Sequence, residues 1–383
     1  AHFVNSCTSA IHLALATFKE INGWKEGDEI ITTPLTFVST NHAILYEQLE
    51  PRFADVDNTL CMSPRSVKQR ITKRTKAVLY VGIGGNPGNY FDIKQLCYDH
   101  GLKFIVDGAH MSGTWLKDMN GDGSGYAVIH AGSDADASCF SFQAVKNLPT
   151  ADSGMVCFKE KQYDTLARKL SWMGIDKDTY SRTGKGGSYV WKYNVPYVGY
   201  KYNGNSIMAA MGIVALRNLE SHNSYRRELA KLYDKHLTTS DGKFLTGITP
   251  VMVQWHCEKN SRHLYQIRVA KSVRDKLIQK LSDNNIYPGV HYVTNTKYPM
   301  YDYAKKNNSI IVWDLSHAVG ATHIDLKKTN TLAAVGCSYK FLNGGPGAPG
   351  FLFVDNSIQN KLENPIKGWF GHKLPFMFSD KYE

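Results

Sequence analysis

Short apolar runs alternate with segments of helical periodicity along the N-terminal third of the chain. The runs cover residues 29–33, 52–56, 77–81 and 103–107, and helical periodicity is present at 9–21 and around 93–97. Strands that alternate with helices at this spacing are typical of an α/β domain with a largely parallel sheet. Ligands bind such sheets at the carboxyl ends of the strands, and Asp107 stands at one of these ends.

The pattern changes in the second half of the chain. A long helix is predicted over residues 205–237, because apolar residues recur there at the spacing of one helical face. The stripe consists of Ile207, Ala210, Met211 and Val214. Runs at 251–255 and 263–269 predict strands, and a helical pattern follows at 273–281. These elements predict a smaller α+β domain.

The composition narrows the class of protein. A chain of 383 residues, 43% of them hydrophobic, can bury the core of one large domain and of a smaller one. It has no apolar run long enough to span a membrane, which takes about 18 residues, so no membrane partner is expected. The first residues do not resemble a signal peptide and are typical of the interior of a longer protein. Seven scattered cysteines without CxxC spacing indicate free thiols and a cytoplasmic location.

Neither nucleic acid nor metal is expected as a partner. The formal net charge is +11, but the basic residues are dispersed, and the cluster at 68–74 is typical of a solvated helix face. No zinc-finger or RNP pattern is present, so nucleic acid is not expected. A basic balance also suits phosphorylated small ligands. The loop 120–125 contains Asp122 but lacks the further ligands of a calcium loop, so it predicts a turn.

Three polar motifs contain the residue types that pyridoxal 5′-phosphate (PLP) needs. They lie at 5–10, 106–110 and 139–148. PLP needs a lysine amine that bonds to its aldehyde carbon, a carboxylate beside its pyridine nitrogen, and a helix N-terminus with hydroxyls for its phosphate. An aromatic face must also cover the ring. The candidates are Lys146, Asp107, Thr8, Ser9, Ser141 and Phe37. Each residue alone has an ordinary structural explanation, and their order and spacing make the case.

Residues 4 to about 303 resemble the DegT/StrS-type sugar aminotransferases, which belong to fold type I of the PLP enzymes (the aspartate aminotransferase-like α/β fold). The matching stretches are 4–13, 33–40, 107–110, 140–142, 146–148, 199–203 and 289–292. The resemblance implies that Lys146 binds PLP and moves the proton, with Asp107 at the pyridine nitrogen and His110 near the ring oxygen. It also implies that Phe37 stacks on the ring and that Thr8, Ser9 and Ser141 bind the phosphate.

The same resemblance implies partners. The loop 199–203, with Lys201 and Asn203, reaches the PLP phosphate of a partner subunit in this family, so a homodimer is expected. His291 and Tyr292 are expected near the substrate. The implied substrates are a nucleotide-linked keto-sugar and glutamate as amino donor. The chain departs from the family at Cys7, where Gly is usual.

A second resemblance covers residues 309–383. The stretches 310–320, 335–347 and 368–372 are similar to kynureninase, another PLP enzyme of fold type I. That likeness implies a second candidate site formed by Asp314, His317, Tyr339, Lys340 and Trp369. The chain is therefore interpreted as a chimera with its seam near 303–308, whether natural, engineered or misassembled.

The two resemblances imply three possible functions. The leading one is a PLP-dependent aminotransferase that acts through Lys146, and the alternatives are a kynureninase-type hydrolase acting through Lys340 and an inactive chimera. The expected domains are a PLP-binding large domain over 1–220, a partial small domain over 221–305 and a kynureninase-like segment over 306–383.

Overall fold

A computed structural model gives the structure of the chain. It describes residues 1–119, 125–176, 193–300, 312–314, 333–337 and 350–356. The chain divides into two compact units, Ala1–Tyr301 and Asp302–Glu383, and each is described by itself. The predicted turn at 120–125 lies almost entirely outside the described residues.

The first half of the larger unit is an α/β layer structure. Its strands are β1 (His2–Val4), β2 (Glu29–Thr32), β3 (Glu50–Phe53), β4 (Thr75–Val81), β5 (Lys103–Asp107), β6 (Trp115–Met119), β7 (Tyr126–His130), β8 (Ala137–Ser141) and β9 (Gly154–Phe158). Its helices are α1 (Cys7–Asn22), α2 (Val38–Tyr46), α3 (Pro64–Arg70), α4 (Tyr90–Asp99) and α5 (Lys161–Ser171).

Seven strands form the central sheet in the order β1-β9-β8-β5-β4-β2-β3. The pairs from β8 to β3 are parallel, and β9 pairs antiparallel with both β8 and β1. The expected α/β fold with a largely parallel sheet is confirmed. The carboxyl ends of β4, β5 and β8 therefore lie side by side, which places Asp107 at the centre of that edge.

Helix α1 is a core helix with well-defined ends. Ser6 is its N-cap, and the Ser6 hydroxyl accepts the backbone N–H of Ser9 at 3.1 Å. Gly23 ends the helix in the left-handed conformation, with φ of +65°. Its middle turns are buried against β8, β9 and α5, so packing fixes the position of its N-terminus relative to the sheet.

The second half of the larger unit begins with a long helix. Its elements are α6 (Ser206–Leu237), β10 (Ile248–Pro250), β11 (Cys257–Lys259), β12 (Ile267–Val269) and α7 (Lys271–Ser282). Both long helical patterns predicted from the sequence are present as α6 and α7. Strand β11 joins β6 and β7 in a three-stranded sheet, and β10 pairs with β12.

The predicted strand at 251–255 is wrong. This segment bonds to loops instead of to a neighbouring strand: the N–H of Met252 donates to Asn58 O at 3.1 Å, and Asn86 Nδ2 donates to Met252 O at 2.8 Å. The predicted strand at 263–269 is confirmed only for its last three residues. Its first residues contact loops instead: the N–H of Leu264 donates to Gly84 O at 3.3 Å, and His263 Nδ1 lies 2.8 Å from Asn147 Oδ1.

Helix α6 continues without a break past residue 220, where the sequence places a domain boundary. Its apolar stripe is largely exposed in the single chain, with Ile207 75% and Val214 57% exposed. The division at 220 remains a prediction. No helix among the described residues is both long and apolar enough to cross a membrane.

The smaller unit contains one described sheet, formed by β13 (Val312–Asp314), β14 (Ala333–Cys337) and β15 (Gly350–Val354). Strands β13 and β14 are parallel, and β15 is antiparallel to β14. Asp314 ends β13. The other members of the second candidate site, His317, Tyr339, Lys340 and Trp369, lie outside the described residues.

Candidate active site

A cavity of about 650 Å³ opens at the carboxyl edge of the sheet, beside the N-terminus of α1. Residues from widely separated parts of the sequence line it, as the parallel sheet predicts. The sequence-predicted residues that it brings together are Thr8, Phe37, Asp107, His110, Ser141, Lys146, His291 and Tyr292. The cavity therefore unites the lysine, the carboxylate, the phosphate-binding hydroxyls and the aromatic ring expected of one site.

Asp107 presents a buried carboxylate at the end of β5. Its Oδ2 accepts the Thr40 hydroxyl at 2.7 Å, and its Oδ1 accepts the backbone N–H of Ala109 at 3.1 Å. Burial raises the pKa of Asp107, although these hydrogen bonds oppose the rise. No ion pair to Asp107 is formed within the described part of the chain. A buried acid of this kind is stabilised in its charged form when a cation lies beside it.

Lys146 supplies an amine to the same cavity. The turn that contains it is closed by its backbone N–H, which donates to Gln143 O at 2.9 Å. Burial lowers the pKa of Lys146, while Asp107 and Cys7 act in the opposite direction. A lowered pKa makes the neutral amine more accessible at neutral pH, and the neutral amine is the form that attacks a carbonyl carbon.

His110 is a buried imidazole with a defined tautomer. The backbone N–H of Gly84 donates to His110 Nδ1 at 3.1 Å, so the proton of the neutral ring is on Nε2. Burial, followed by the nearby charge of Lys146, holds the pKa of His110 well below its usual value. Gly84 has φ of +67°, a left-handed conformation that favours glycine at this contact.

The N-terminus of α1 forms an anion-binding edge of the cavity. A helix of 16 residues begins there, and Ser6, Thr8 and Ser141 place hydroxyls around its first turn. Ser9, also expected at the phosphate, is buried, and its hydroxyl lies 3.0 Å from that of Ser6. Its part in phosphate binding remains a prediction.

Phe37 offers an uncovered aromatic face. It precedes α2, lines the cavity and is 58% exposed. The centre of its ring lies 6.1 Å from that of Tyr292. An exposed phenylalanine inside a cavity is a surface that a flat ligand ring would cover.

Lys201 and Asn203 lie away from the lining of this cavity. The amine of Lys201 sits 3.3 Å above the Trp172 ring, and Asn203 forms a bridge with Val4. The loop is anchored by Tyr200, whose hydroxyl donates to Glu47 Oε1 at 2.8 Å. Their expected contact with the phosphate of a partner subunit remains a prediction.

Sequence reasoning missed several residues of the site. Cys7, noted only as a departure from the family, lines the cavity, and its thiol lies 3.9 Å from Asp107 Oδ1. Burial and the carboxylate of Asp107 raise its pKa well above the usual value, so the thiol keeps its proton. Thr40 and His263 also line the cavity. A threonine in a helix and a histidine in an apolar run carry no local signal of such a role.

The site fits PLP. A buried carboxylate without an ion pair among the described residues, an amine with a lowered pKa, an anion-binding helix end and an uncovered aromatic ring surround one cavity. Together with the mixed α/β sheet, they define a PLP-dependent enzyme of fold type I.

The chain belongs to the DegT/DnrJ/EryC1/StrS aminotransferase family, whose model matches residues 1–326. It is 35% identical over 305 residues to the spore coat polysaccharide biosynthesis protein SpsC of Bacillus subtilis, covering 78% of this chain and 72% of SpsC. It is 30% identical to the dTDP-4-dehydro-2,3,6-trideoxy-D-glucose 4-aminotransferase of Saccharopolyspora spinosa, covering 78% of this chain and 73% of that enzyme.

Solved structures show the same fold. The aminotransferase TlmJ of Streptoalloteichus hindustanus superposes with a TM-score of 0.66 at 29% identity, covering 78% of this chain and 74% of TlmJ. PseC of Helicobacter pylori, an aminotransferase of pseudoaminic acid biosynthesis, superposes with a TM-score of 0.67 at 25% identity, covering 80% of this chain and 76% of PseC. The chain is thus a PLP-dependent aminotransferase of the sugar aminotransferase family.

The family match also corrects the expected end of the resemblance. It extends to residue 326, past the seam predicted at 303–308. Residues 309–326, assigned from the sequence to the kynureninase-like segment, are therefore covered by the aminotransferase family. None of the relatives named above is a kynureninase. The proposed chimera has no support from them.

Proposed function

We propose that this chain transfers the amino group of glutamate to the keto carbon of a nucleotide-linked sugar. The observation that carries the proposal is the cavity that joins Lys146 to Asp107, beside an anion-binding helix end and a polar wall formed by His263, His291 and Tyr292. In the overall exchange the sugar replaces its keto oxygen by an amino group and a hydrogen, and glutamate replaces its amino group and a hydrogen by an oxygen, which gives 2-oxoglutarate. The keto-sugar and glutamate therefore balance without any further oxidant or reductant.

The residues that line the cavity would have different roles around the cofactor. Bound PLP would supply the electron sink for both halves of the exchange. Asp107 would hold the pyridinium proton, and Phe37 would orient the ring. Thr8 and Ser141, with the first N–H groups of α1, would bind the phosphate. Lys146 Nζ would move the proton to and from the reacting carbon, for which its lowered pKa is suited.

The substrate class is tested by supplying glutamate labelled with ¹⁵N and a panel of dTDP-, UDP- and GDP-linked keto-sugars to the PLP-loaded protein. Mass spectrometry should find the label in one amino-sugar, with an equal amount of 2-oxoglutarate formed. Omitting the keto-sugar should stop 2-oxoglutarate formation after about one equivalent per site, because the amino group then has no acceptor. A parallel reaction supplies a simple 2-oxo acid in place of the keto-sugars. If the label is transferred to that acid but to none of the sugars, a sugar substrate is refuted.

We further propose that the working form is a homodimer in the cytoplasm. The stripe on α6 exposes several large apolar side chains in the single chain, and the 199–203 loop presents Lys201 outside its own cavity. A second copy would cover the stripe and receive the loop. The six cysteines whose side chains the structure describes have free thiols, which suits a reducing compartment.

The dimer is tested by light scattering. A mass of about twice the 43.0 kDa of the chain is expected for the wild type. Placing a charge in the stripe, as in Val214→Glu, should shift the mass toward that of one chain, because an unpaired charge in an apolar interface is costly. The same change at exposed Leu352, in the smaller unit, should leave the dimer intact. A wild-type mass of one chain would refute the proposal.

A further inference from the structure

A buried amide network begins at the residue after the proposed catalytic lysine. Asn147 Nδ2 donates to the backbone carbonyl of Ser261 at 2.8 Å and to Asn223 Oδ1 at 2.6 Å. Asn223 Nδ2 in turn donates to the carbonyl of Ser112 at 2.9 Å. The network ties the lysine turn to α6 and to the segment before His263.

The network determines which nitrogen of His263 carries a proton. The carbonyls of Ser112 and Ser261 can only accept, so the donor ends of both amides must face them. Asn147 Oδ1 therefore faces His263, at 2.8 Å from Nδ1. An amide oxygen cannot donate, so Nδ1 of His263 carries the proton and Nε2 carries the lone pair.

The ring of His263 is also fixed in orientation. It stacks on His110 with ring centres 4.3 Å apart and planes 27° from parallel. Stacked rings face each other, so His110 cannot donate in the plane of His263. With Nδ1 occupied by Asn147, Nε2 is the nitrogen left for a ligand, and His263 lines the cavity.

This nitrogen stays an acceptor over the working pH range. Burial lowers the pKa of His263 to about 3, and the charges of Lys146, Arg226 and His291 act in the same direction. A lone pair held in this way attracts hydroxyl and amine donors. It repels phosphate and carboxylate oxygens, which have only lone pairs to offer.

We propose that His263 is a substrate-binding residue whose Nε2 accepts a hydrogen bond from a ring hydroxyl of the sugar. This rests on the proposed function, because a keto-sugar brings hydroxyl donors to this wall, whereas the carboxylates of glutamate bring acceptors. His263 thus selects sugars that keep a hydroxyl at the position it faces.

Two substitutions separate the binding role from a structural one. Asn places its amide at the same bond separation from Cα as Nδ1, so His263→Asn keeps a donor for Asn147 and loses the acceptor in the cavity. Gln matches the separation of Nε2, so His263→Gln keeps an acceptor in the cavity and loses the contact with Asn147. A binding role predicts that only the Gln variant resembles the wild type, and a structural role predicts the reverse.

The experiment measures equilibrium binding by calorimetry to the PLP-loaded protein without amino donor. The probes are dTDP-4-dehydro-6-deoxy-D-glucose, its counterpart lacking the 2- and 3-hydroxyls, and dTDP as the control without the sugar. The wild type and His263→Gln should bind the hydroxylated sugar about tenfold more tightly than the dideoxy sugar. His263→Asn should bind both equally, and dTDP should bind all three proteins alike.

Two results would overturn the inference: a wild type without preference between the sugars, or a His263→Asn protein that keeps it. Turnover of the same sugars with glutamate is scored separately in the wild type. A binding preference without turnover would refute the amination proposal and leave the His263 contact standing. Turnover without a binding preference would support the amination proposal and refute the His263 contact.

Discussion

Replacing Lys146 by alanine is expected to lower kcat/KM for amine transfer by about 10³-fold or more, since a positioned acid–base group alone contributes about 10²–10⁴-fold. Among the described residues that line the cavity, Lys146 supplies the only lysine amine, and burial has lowered its pKa. Borohydride reduction of the PLP-loaded wild type should fix the cofactor on the peptide that contains Lys146. The alanine variant should carry no label there.

The control is Lys68→Ala, which removes an exposed lysine from α3 and should change neither rate nor labelling. Label on Lys340 would contradict the assignment and would revive the kynureninase interpretation of the C-terminal segment. Label on neither lysine would mean that the chain does not hold PLP covalently.

The elements that could be predicted from sequence are those whose own residues determine their burial. The predicted strand at 103–107 coincides with β5, and the predicted helix at 9–21 lies within α1. Both are continuous or periodic apolar segments packed on several sides. Their local sequence pattern agrees with their environment in the fold, so hydrophobic periodicity is sufficient to predict them.

The elements that were missed depend on partners far away in the sequence. Strand β11 exists because Cys257 pairs with Leu116 of β6, and the apolar run at 251–255 is held by side chains of the loop near residue 86. Short strands of three residues have little pattern of their own. Tertiary contacts decided their positions.

The site residues also divide into those that local sequence motifs predict and those that distant contacts determine. Asp107 and Lys146 were found because each stands in a motif at a recognisable distance from the other, and their neighbours matched a known family. His263 was taken as part of a strand at 263–269. Its tautomer is set by Asn147 and Asn223, and its stacking partner is His110. No property of residues 263–269 alone records those contacts.

Exchanging Asp107 for asparagine should separate catalysis from folding. In the PLP-loaded protein the change removes the negative charge opposite the pyridinium, and breaking a buried charge pair costs about 3–5 kcal/mol. The rate of the glutamate half-reaction should therefore fall by about 10²-fold or more. In the cofactor-free protein the carboxylate is a buried charge without an ion pair among the described residues, so its loss should leave the thermal midpoint unchanged or higher.

The hydrogen bonds of Asp107 allow this substitution. The new amide oxygen can accept the N–H of Ala109, and the new amide nitrogen can donate to the Thr40 hydroxyl. Thr40 can then turn its own proton toward Thr36, whose hydroxyl lies 2.8 Å away.

The pH dependence of stability gives a second readout for Asp107→Asn. The folded pKa of Asp107 is raised, so ionised Asp107 opposes folding fully above the folded pKa, and this penalty is lost as pH falls from the folded pKa to the lower, unfolded one. The stabilisation by asparagine in the cofactor-free protein should therefore be larger at neutral pH than in acid. Asp92→Asn, at an exposed position of α4, is the matched control and should show neither effect. If Asp107→Asn instead unfolds the cofactor-free protein while the loaded variant keeps its rate, the carboxylate serves the fold and another group must hold the pyridinium proton.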